Sequence, residues 1–451
     1  MYLDAFYKYR KLDFRMMVGA DEVIAKLVTV IDPDLKKDIV SMGMVKDLEL
    51  IDDNLKFTLE LTTPACPFNA EIEDDVRRAI GELKDLKSFD MNVTAKVMEG
   101  RSLDDDTGMA TVKNIIGVAS GKGGVGKSTV SLNLALALQQ AGARVGLLDA
   151  DIYGPSIPLM LGIKDGGMEV DNNKLQPADS HGLKVVSFGF FAEQAHQAAI
   201  YRGPIISGIL RQFLVDTNWS DLDYLIVDLP PGTGDIPLTL AQTIPITGIL
   251  VITTPQDVAS NVAVKAIGMF EKLNVPILGV VENMSHFICS GCSTKHYIFG
   301  DGGARRISEQ FDMPFLGEIP LNAGIMSGSD LGKPIMITAS DSPSGSAFRS
   351  AARNIAAQCS IIAANLRQEA GSDSEAAGGG NSGSNDDDSD GNRDAWKAAA
   401  DRSVPKASAA TAAGVAPGAT APSSSSSSSS SSQSPSPTAA TSTPTTTQPA
   451  G

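Results

Sequence analysis

Gly121-Lys122-Gly123-Gly124-Val125-Gly126-Lys127-Ser128-Thr129 fits the pattern G-x-x-x-x-G-K-[ST]. Backbone N–H groups of such a loop point inward and cradle phosphate oxygens. Its lysine, Lys127, reaches the β/γ-phosphates, and the Ser128 hydroxyl can ligate Mg2+, so the expected ligand is a magnesium-bound nucleotide. Two further segments supply carboxylates. Tyr224-Leu225-Ile226-Val227-Asp228 is an apolar run ending in an aspartate that would hold Mg2+ through water. Leu147-Leu148-Asp149-Ala150-Asp151 ends another such run with Asp149 and Asp151. A separate chemistry resides in Cys289-Ser290-Gly291-Cys292. A C-x-x-C pair brings two sulfurs within reach of one metal, but supplies only half of a tetrahedral site or half of a cluster's four thiolates. The chain has no second such pair. A two-fold dimer would bring the missing sulfurs, and one [4Fe–4S] cluster bridging two subunits meets the need. His286 and His296 flank the pair, so a Cys2His2 zinc site competes, as do a redox dithiol and a purely structural pair.

The elements around these residues are legible in the pattern of apolar runs. Residues 115–119 read as a buried strand before the loop. Residues 128–140 follow with helical spacing and would present a helix N-terminus to the phosphates. Further strands are expected at 145–148, 185–188, 224–227, 249–253, 277–281 and 315–319, mostly separated by helical segments, and 346–366 reads as a closing helix. Strands alternating with helices predict an α/β domain: a mostly parallel, doubly wound sheet covered on both faces, with ligands at the carboxyl ends of its strands. Ahead of it, a helix at 21–30, two strands at 44–50 and 55–61 joined by Asp52-Asp53-Asn54, a helix at 69–86 with Ile72, Val76, Ile80 and Leu83 on one face, and a strand at 88–97 form a small α+β module. The expected organisation is therefore a module at 18–100, a polar linker at 101–112, a P-loop domain at 113–367 and a disordered tail at 368–451.

Composition narrows the function. The tail is rich in Ser, Ala, Gly, Pro and Thr, with ten serines at 423–432, and lacks the apolar surface to offset its ordering entropy. From 371 on there are eight acidic and four basic residues, so the tail carries −4 of the formal charge of −16. That balance argues against nucleic acid and against an anionic membrane surface. No apolar run approaches the ~20 residues needed to cross a bilayer. Four cysteines, Cys66, Cys289, Cys292 and Cys359, are no secreted disulfide framework. The expectation is a soluble protein of a reducing compartment, cytoplasmic, with plastid and mitochondrion as alternatives.

Lys122, the extra lysine of the loop, marks a resemblance to the deviant Walker-A class of dimeric ATPases. That likeness implies that Lys122 reaches across a dimer to the partner's nucleotide, that Asp151 orients the attacking water, that Asp149 supports the Mg2+ shell and that Asn283 reads adenine. Over 114–364 the chain more specifically resembles the Mrp/ApbC family. The likeness rests on the loop, Asp149-Ala150-Asp151-Ile152-Tyr153-Gly154-Pro155-Ser156, Arg202-Gly203-Pro204, the segment 228–235, and Glu282-Asn283-Met284-Ser285 with Cys289 and Cys292. The module is similar to a SufT-like iron–sulfur assembly domain through Ile31-Asp32-Pro33-Asp34 and Thr62-Thr63-Pro64-Ala65-Cys66-Pro67.

The resemblance implies a slow, homodimeric ATP hydrolase that takes a [4Fe–4S] cluster from an upstream scaffold and transfers it to apoproteins. Cys66, ahead of a predicted helix whose N-terminus favours a thiolate, reads either as a transient iron or cluster ligand or as a free thiol with a packing role, and Cys359 is expected to be core. The rival reading is a MinD/ParA-like positioning ATPase with a structural metal site.

Overall fold

The computed structural model describes residues 19–84, 86–100, 109, 111–163, 169–171, 174–191 and 203–377. The chain divides into two units, 1–389 and 390–451, and every described residue belongs to the first. Expectations for 1–18, most of the linker, Arg202 and the tail from 378 on lie outside these residues.

The first elements are α1 (Ala20–Leu27), β1 (Val45–Ile51), β2 (Asn54–Leu61), α2 (Asn69–Gly81) and β3 (Ser88–Ala95). They form a three-stranded sheet of order β1-β2-β3, the first pair antiparallel and the second parallel. Alternate β2 residues Leu55, Phe57, Leu59 and Leu61 point into a core shared with Val23 and Leu27 of α1 and with the expected stripe Ile72, Val76, Ile80 and Leu83. Helix α2 ends at Gly81 rather than running to 86.

The remaining strands are β4 (Ile115–Ser120), β5 (Val145–Asp149), β6 (Glu169–Asp171), β7 (Lys174–Gln176), β8 (Ala178–Ser180), β9 (Leu183–Ser187), β10 (Tyr224–Asp228), β11 (Gly248–Thr253), β12 (Ile277–Ile288), β13 (Lys295–His296) and β14 (Phe315–Leu321). The helices are α3 (Lys127–Gln140), α4 (Ile157–Leu161), α5 (Gly203–Val215), α6 (Asp235–Thr243), α7 (Asp257–Lys272), α8 (Gly303–Phe311), α9 (Ala323–Asp330), α10 (Ile335–Thr338) and α11 (Pro343–Ala377). Nine strands form one sheet, ordered β13-β12-β11-β4-β10-β5-β9-β8, with β14 on β12. Its interior pairs are parallel, and β8 and β13 add antiparallel edges. Ile116 and Val118 of β4 pack on one face with α3 and α11, while Ile115 and Ala119 pack on the other with α5 and α7. That is the two-faced burial expected of a doubly wound sheet.

Several elements differ from the sequence reading. Strand β12 was expected to end at 281 and instead runs to Ile288. The polar residues that hide its continuation are buried with internal partners: Glu282 accepts from Ala304 N, and Ser285 donates to Ile319 O. Phe188 leaves the sheet and starts a 3-10 turn. Helix α11 continues to Ala377, beyond the expected boundary at 367. Within the expected linker, Met109 and Val112 are buried in the core of the sheet's second face.

The module is seated on the second domain. Thr63 Oγ1 lies 3.0 Å from Tyr224 Oη, both buried, and Ala65 and Val97 belong to the core on the α3 face. Asn114 Nδ2 donates to Met98 O, and Gly100 N to Lys113 O. Among the described residues no helix is long and apolar enough to cross a membrane.

Candidate functional site

The carboxyl ends of β4, β5 and β10 converge at one edge, with Asp228 in register with Asp149. Between β4 and α3 the chain turns through Gly124 at φ 82° and Gly126 at φ 81°, a left-handed conformation that favours glycine. A Cβ on Gly126 would lie 2.3 Å from Asn283 Nδ2, and one on Gly121 would meet the Val262 backbone. Helix α3 then aims its N-terminus at the cleft. This cleft, of about 480 Å3, is lined by Lys122, Gly123, Gly124, Gly126, Lys127, Ser128, Thr129 and Asp151, with Pro231 and Asn283 opposite.

Asp228 is fully buried and is the hub of the site. Lys127 Nζ lies 2.8 Å from Oδ1, Ser128 Oγ donates to Oδ2 at 2.5 Å, and Ser131 Oγ donates to Oδ1 at 2.6 Å. The lysine, hydroxyl and carboxylate needed around a magnesium nucleotide therefore share one cluster.

The other two aspartates divide their work. Asp149 is buried, and its oxygens accept from Ser156 N, Ile157 N, Ser187 Oγ and Asp151 N. Burial, and then the neighbouring Asp228 charge, raises its pKa well above the carboxylate range. Its donors make Asp149 the anchor of the segment that carries Asp151, whereas Asp151 itself faces the cleft. Asn283 stands inside β12, where its Nδ2 donates to Val125 O at 2.8 Å and ties the phosphate loop to that strand.

Cys289 lies six residues beyond Asn283, immediately after the end of β12. The hairpin β12–β13 pairs Phe287 with His296 and Ile288 with Lys295. Its turn is closed by Cys289 N→Thr294 O and Ser293 N→Cys289 O. The donor atoms of Cys289, Cys292 and His296 all lie within 4.8 Å of one another. Cys292 and His296 are exposed and Cys289 is half-buried. A hydrogen bond with Thr294 holds the Cys292 thiol pKa below its ordinary value. His286 is not part of this group. It is 4% exposed, and its Nδ1 lies 2.9 Å from Ser285 Oγ. Because that hydroxyl donates to Ile319 O, Nδ1–H is the donor. The expected Cys2His2 zinc alternative thus lacks its second histidine. The donor set present, two sulfurs and one imidazole, could hold a metal and leaves at least one coordination position open.

Cys66 overturns the reading of an activated thiolate. It is 6% exposed, its Sγ–H donates to Asp34 Oδ2 at 3.2 Å, and it accepts from Phe68 N. Burial, reinforced by Asp34, pushes this thiol up to about 12. It is a protonated core thiol rather than an exposed ligand. Cys359 is in the main core, as expected.

Two residues of the site carried no signal in the sequence. Ser131 and Ser187 are ordinary helix and strand serines until the fold puts them on Asp228 and Asp149. His286 and His296 lie three and four residues from the cysteines along the chain, and only the hairpin pairing separates them.

The family described as the NUBPL iron-transfer P-loop NTPase matches residues 111–356, and an iron–sulfur cluster assembly protein family matches 20–93. An iron–sulfur cluster carrier protein of a Synechocystis strain is 44% identical over 352 residues, covering 77% of this chain and 99% of its own. The chloroplastic Fe–S cluster assembly factor HCF101 of Arabidopsis thaliana is 40% identical over 348 residues, covering 76% of this chain and 64% of its own. Among solved structures, an Archaeoglobus fulgidus nucleotide-binding protein in complex with ADP is 40% identical. It covers 52% of this chain and 93% of its own, with a TM-score of 0.46.

Proposed function

The chain belongs to the iron-transfer P-loop NTPase family, and from that premise we propose that it is an ATP-dependent carrier that binds a [4Fe–4S] cluster and passes it to apoproteins. The observation that carries this reading is the juxtaposition along β12. Its middle holds the phosphate loop through Asn283, and its C-terminal end leads into the turn that presents Cys289, Cys292 and His296.

In this reading Lys127 and the N-terminus of α3 neutralise the phosphates, Ser128 and Asp228 hold Mg2+, and Asp151 orients the attacking water in a slow hydrolysis. Lys122, exposed at the cleft mouth, reaches the nucleotide of a second copy. The same two-fold dimer brings a second Cys289/Cys292 pair, completing four thiolates around the cargo cluster. Asn283 positions the loop and adds contact with the base. The cargo arrives from an upstream scaffold and leaves by thiolate exchange with apoprotein clients, in a reducing compartment. The positioning-ATPase alternative leaves these sulfurs only a structural metal to hold.

Anaerobic reconstitution with iron and sulfide, read by Mössbauer spectra with molar mass by light scattering, tests the proposal. Four irons per dimer are expected, lost in Cys289→Ser/Cys292→Ser. Lys127→Ala should lower hydrolysis by about 100-fold or more, as when one preorganised transition-state donor is removed, and should slow transfer with it. One zinc per chain and no cluster would refute the carrier reading.

A further inference from the structure

A second concavity, about 540 Å3, runs between strand β14 and the first turns of α11. Among the described strands β14 pairs only with β12. Its far edge therefore offers backbone N–H and C=O groups with no strand beside them, the arrangement that accepts an added strand. Asn354 Nδ2 of α11 already donates to Leu316 O at 2.9 Å, so a carbonyl of this edge faces the helix. The helix side is built from Ser346, Ser350 and Asn354, four residues apart on one face, and both serines are exposed. Their short side chains line the open part of the concavity, beside the point where Ala351 packs close against Gly317. Pro320, which lacks an N–H, bounds the edge, so the accessible length suits a segment of few residues.

We propose that this groove docks one extended segment of a recipient protein, added along the β14 edge with a carboxylate directed at Arg305. The inference deepens the carrier reading and rests on it. Its charge supports the choice: the chain is −16 overall, yet the groove's wall carries Lys295 and Arg305 against the single carboxylate Glu318. Arg305 is held in place over the Phe315 ring, 4.2 Å from its centroid. Its position supports a recipient rather than an unrelated peptide. Two residues of the groove, Ile288 and Lys295, immediately adjoin Cys289 and His296. A segment seated on β14 therefore brings the rest of its protein beside the outward sulfurs.

The test uses the full chain without cluster and a small acidic apo-ferredoxin as the probe. Amide hydrogen exchange over 315–321 should slow at least fivefold when the apo-ferredoxin is added. Ser350→Trp, which fills the groove from an exposed helix position, should abolish that slowing. Arg305→Glu should weaken it at least tenfold in half-saturating concentration. With cluster loaded, Ser350→Trp should lower the second-order transfer rate to the apo-ferredoxin at least tenfold, while release to a small chelator stays at the wild-type rate. No slowing, or wild-type transfer by Ser350→Trp, overturns the proposal. Slowing that depends on the concentration of this chain alone assigns the groove to a second copy and overturns it too. A chain that loads no cluster refutes the carrier reading, while the exchange footprint, measured without cluster, still decides the groove.

Discussion

Burial sorts the four cysteines into two chemical kinds. Cys66 and Cys359 are enclosed and their thiols are pushed up to about 12, by burial first in both cases. Cys289 and Cys292 stand on the hairpin turn with solvent access. Thiolate is the reactive form, so Ellman's reagent at pH 8 should titrate two thiols quickly in the native chain and four in denaturant. Cys289→Ser/Cys292→Ser should leave no fast thiol, and a third fast thiol in the wild type would contradict the burial of Cys66. The same thiols set a pH dependence. In the folded chain they hold their protons up to about 12, whereas the ordinary value is 9.0. Their contribution to stability is therefore complete below pH 9 and is lost as pH rises toward 12, because the unfolded chain binds fewer protons there. Tyr224, whose phenol is raised by burial, acts in the same direction. Denaturation midpoints measured across that window should fall less steeply in Cys359→Ala than in the wild type.

Among the elements, β12 has the most to do, since it holds the phosphate loop and carries the cysteine turn. Gly126 is the tightest point of that arrangement, at φ 81° with Asn283 Nδ2 where a Cβ would go. An alanine there costs about 1–2 kcal/mol for the left-handed backbone alone, and it also displaces the Asn283 amide. Gly126→Ala should raise the Kd for a fluorescent ATP analogue at least tenfold, and Asn283→Ala should raise it less. Because the two changes break one contact, the double variant should be no weaker than Gly126→Ala; fully additive losses would remove Asn283 from the role of loop holder. This strand also marks how far the sequence could be read. The interior strands were visible because each is an apolar run buried on both faces, as at 115–119 and 224–227. The phosphate loop, Asp149, Asp151 and Asp228 were visible because each follows such a run. The second half of β12 was not, since Asn283, Ser285 and His286 are polar residues that become buried only once β14 and the loop supply partners. The short strands β6, β7 and β8 carry exposed or half-exposed residues and leave no periodic signal. The two readings of Cys66 could not be separated in the sequence because a loop before a helix says nothing about what packs over it.

At the scale of the whole molecule, the module and the P-loop domain meet through a buried hydroxyl pair, Thr63 and Tyr224, at the root of the strand that ends in Asp228. Leaving one buried partner unsatisfied costs about 1–3 kcal/mol, whereas removing both can be nearly neutral. Thr63→Val and Tyr224→Phe should each lower the unfolding free energy by about that amount, and the double variant should lose less than the sum while keeping the part due to Ala65 N, which also donates to Thr63 Oγ1. Equal and additive losses in a denaturant series would show that the two hydroxyls do not act as a pair. The partners are 161 residues apart, and that interval is also a delay. At about 5–20 residues per second on the ribosome, the loop bearing Thr63 and Cys66 is made roughly 10–30 s before β10 emerges to receive it. During each round of synthesis Thr63 thus waits without its partner, and nascent chains cut short before Tyr224 keep that loop undocked.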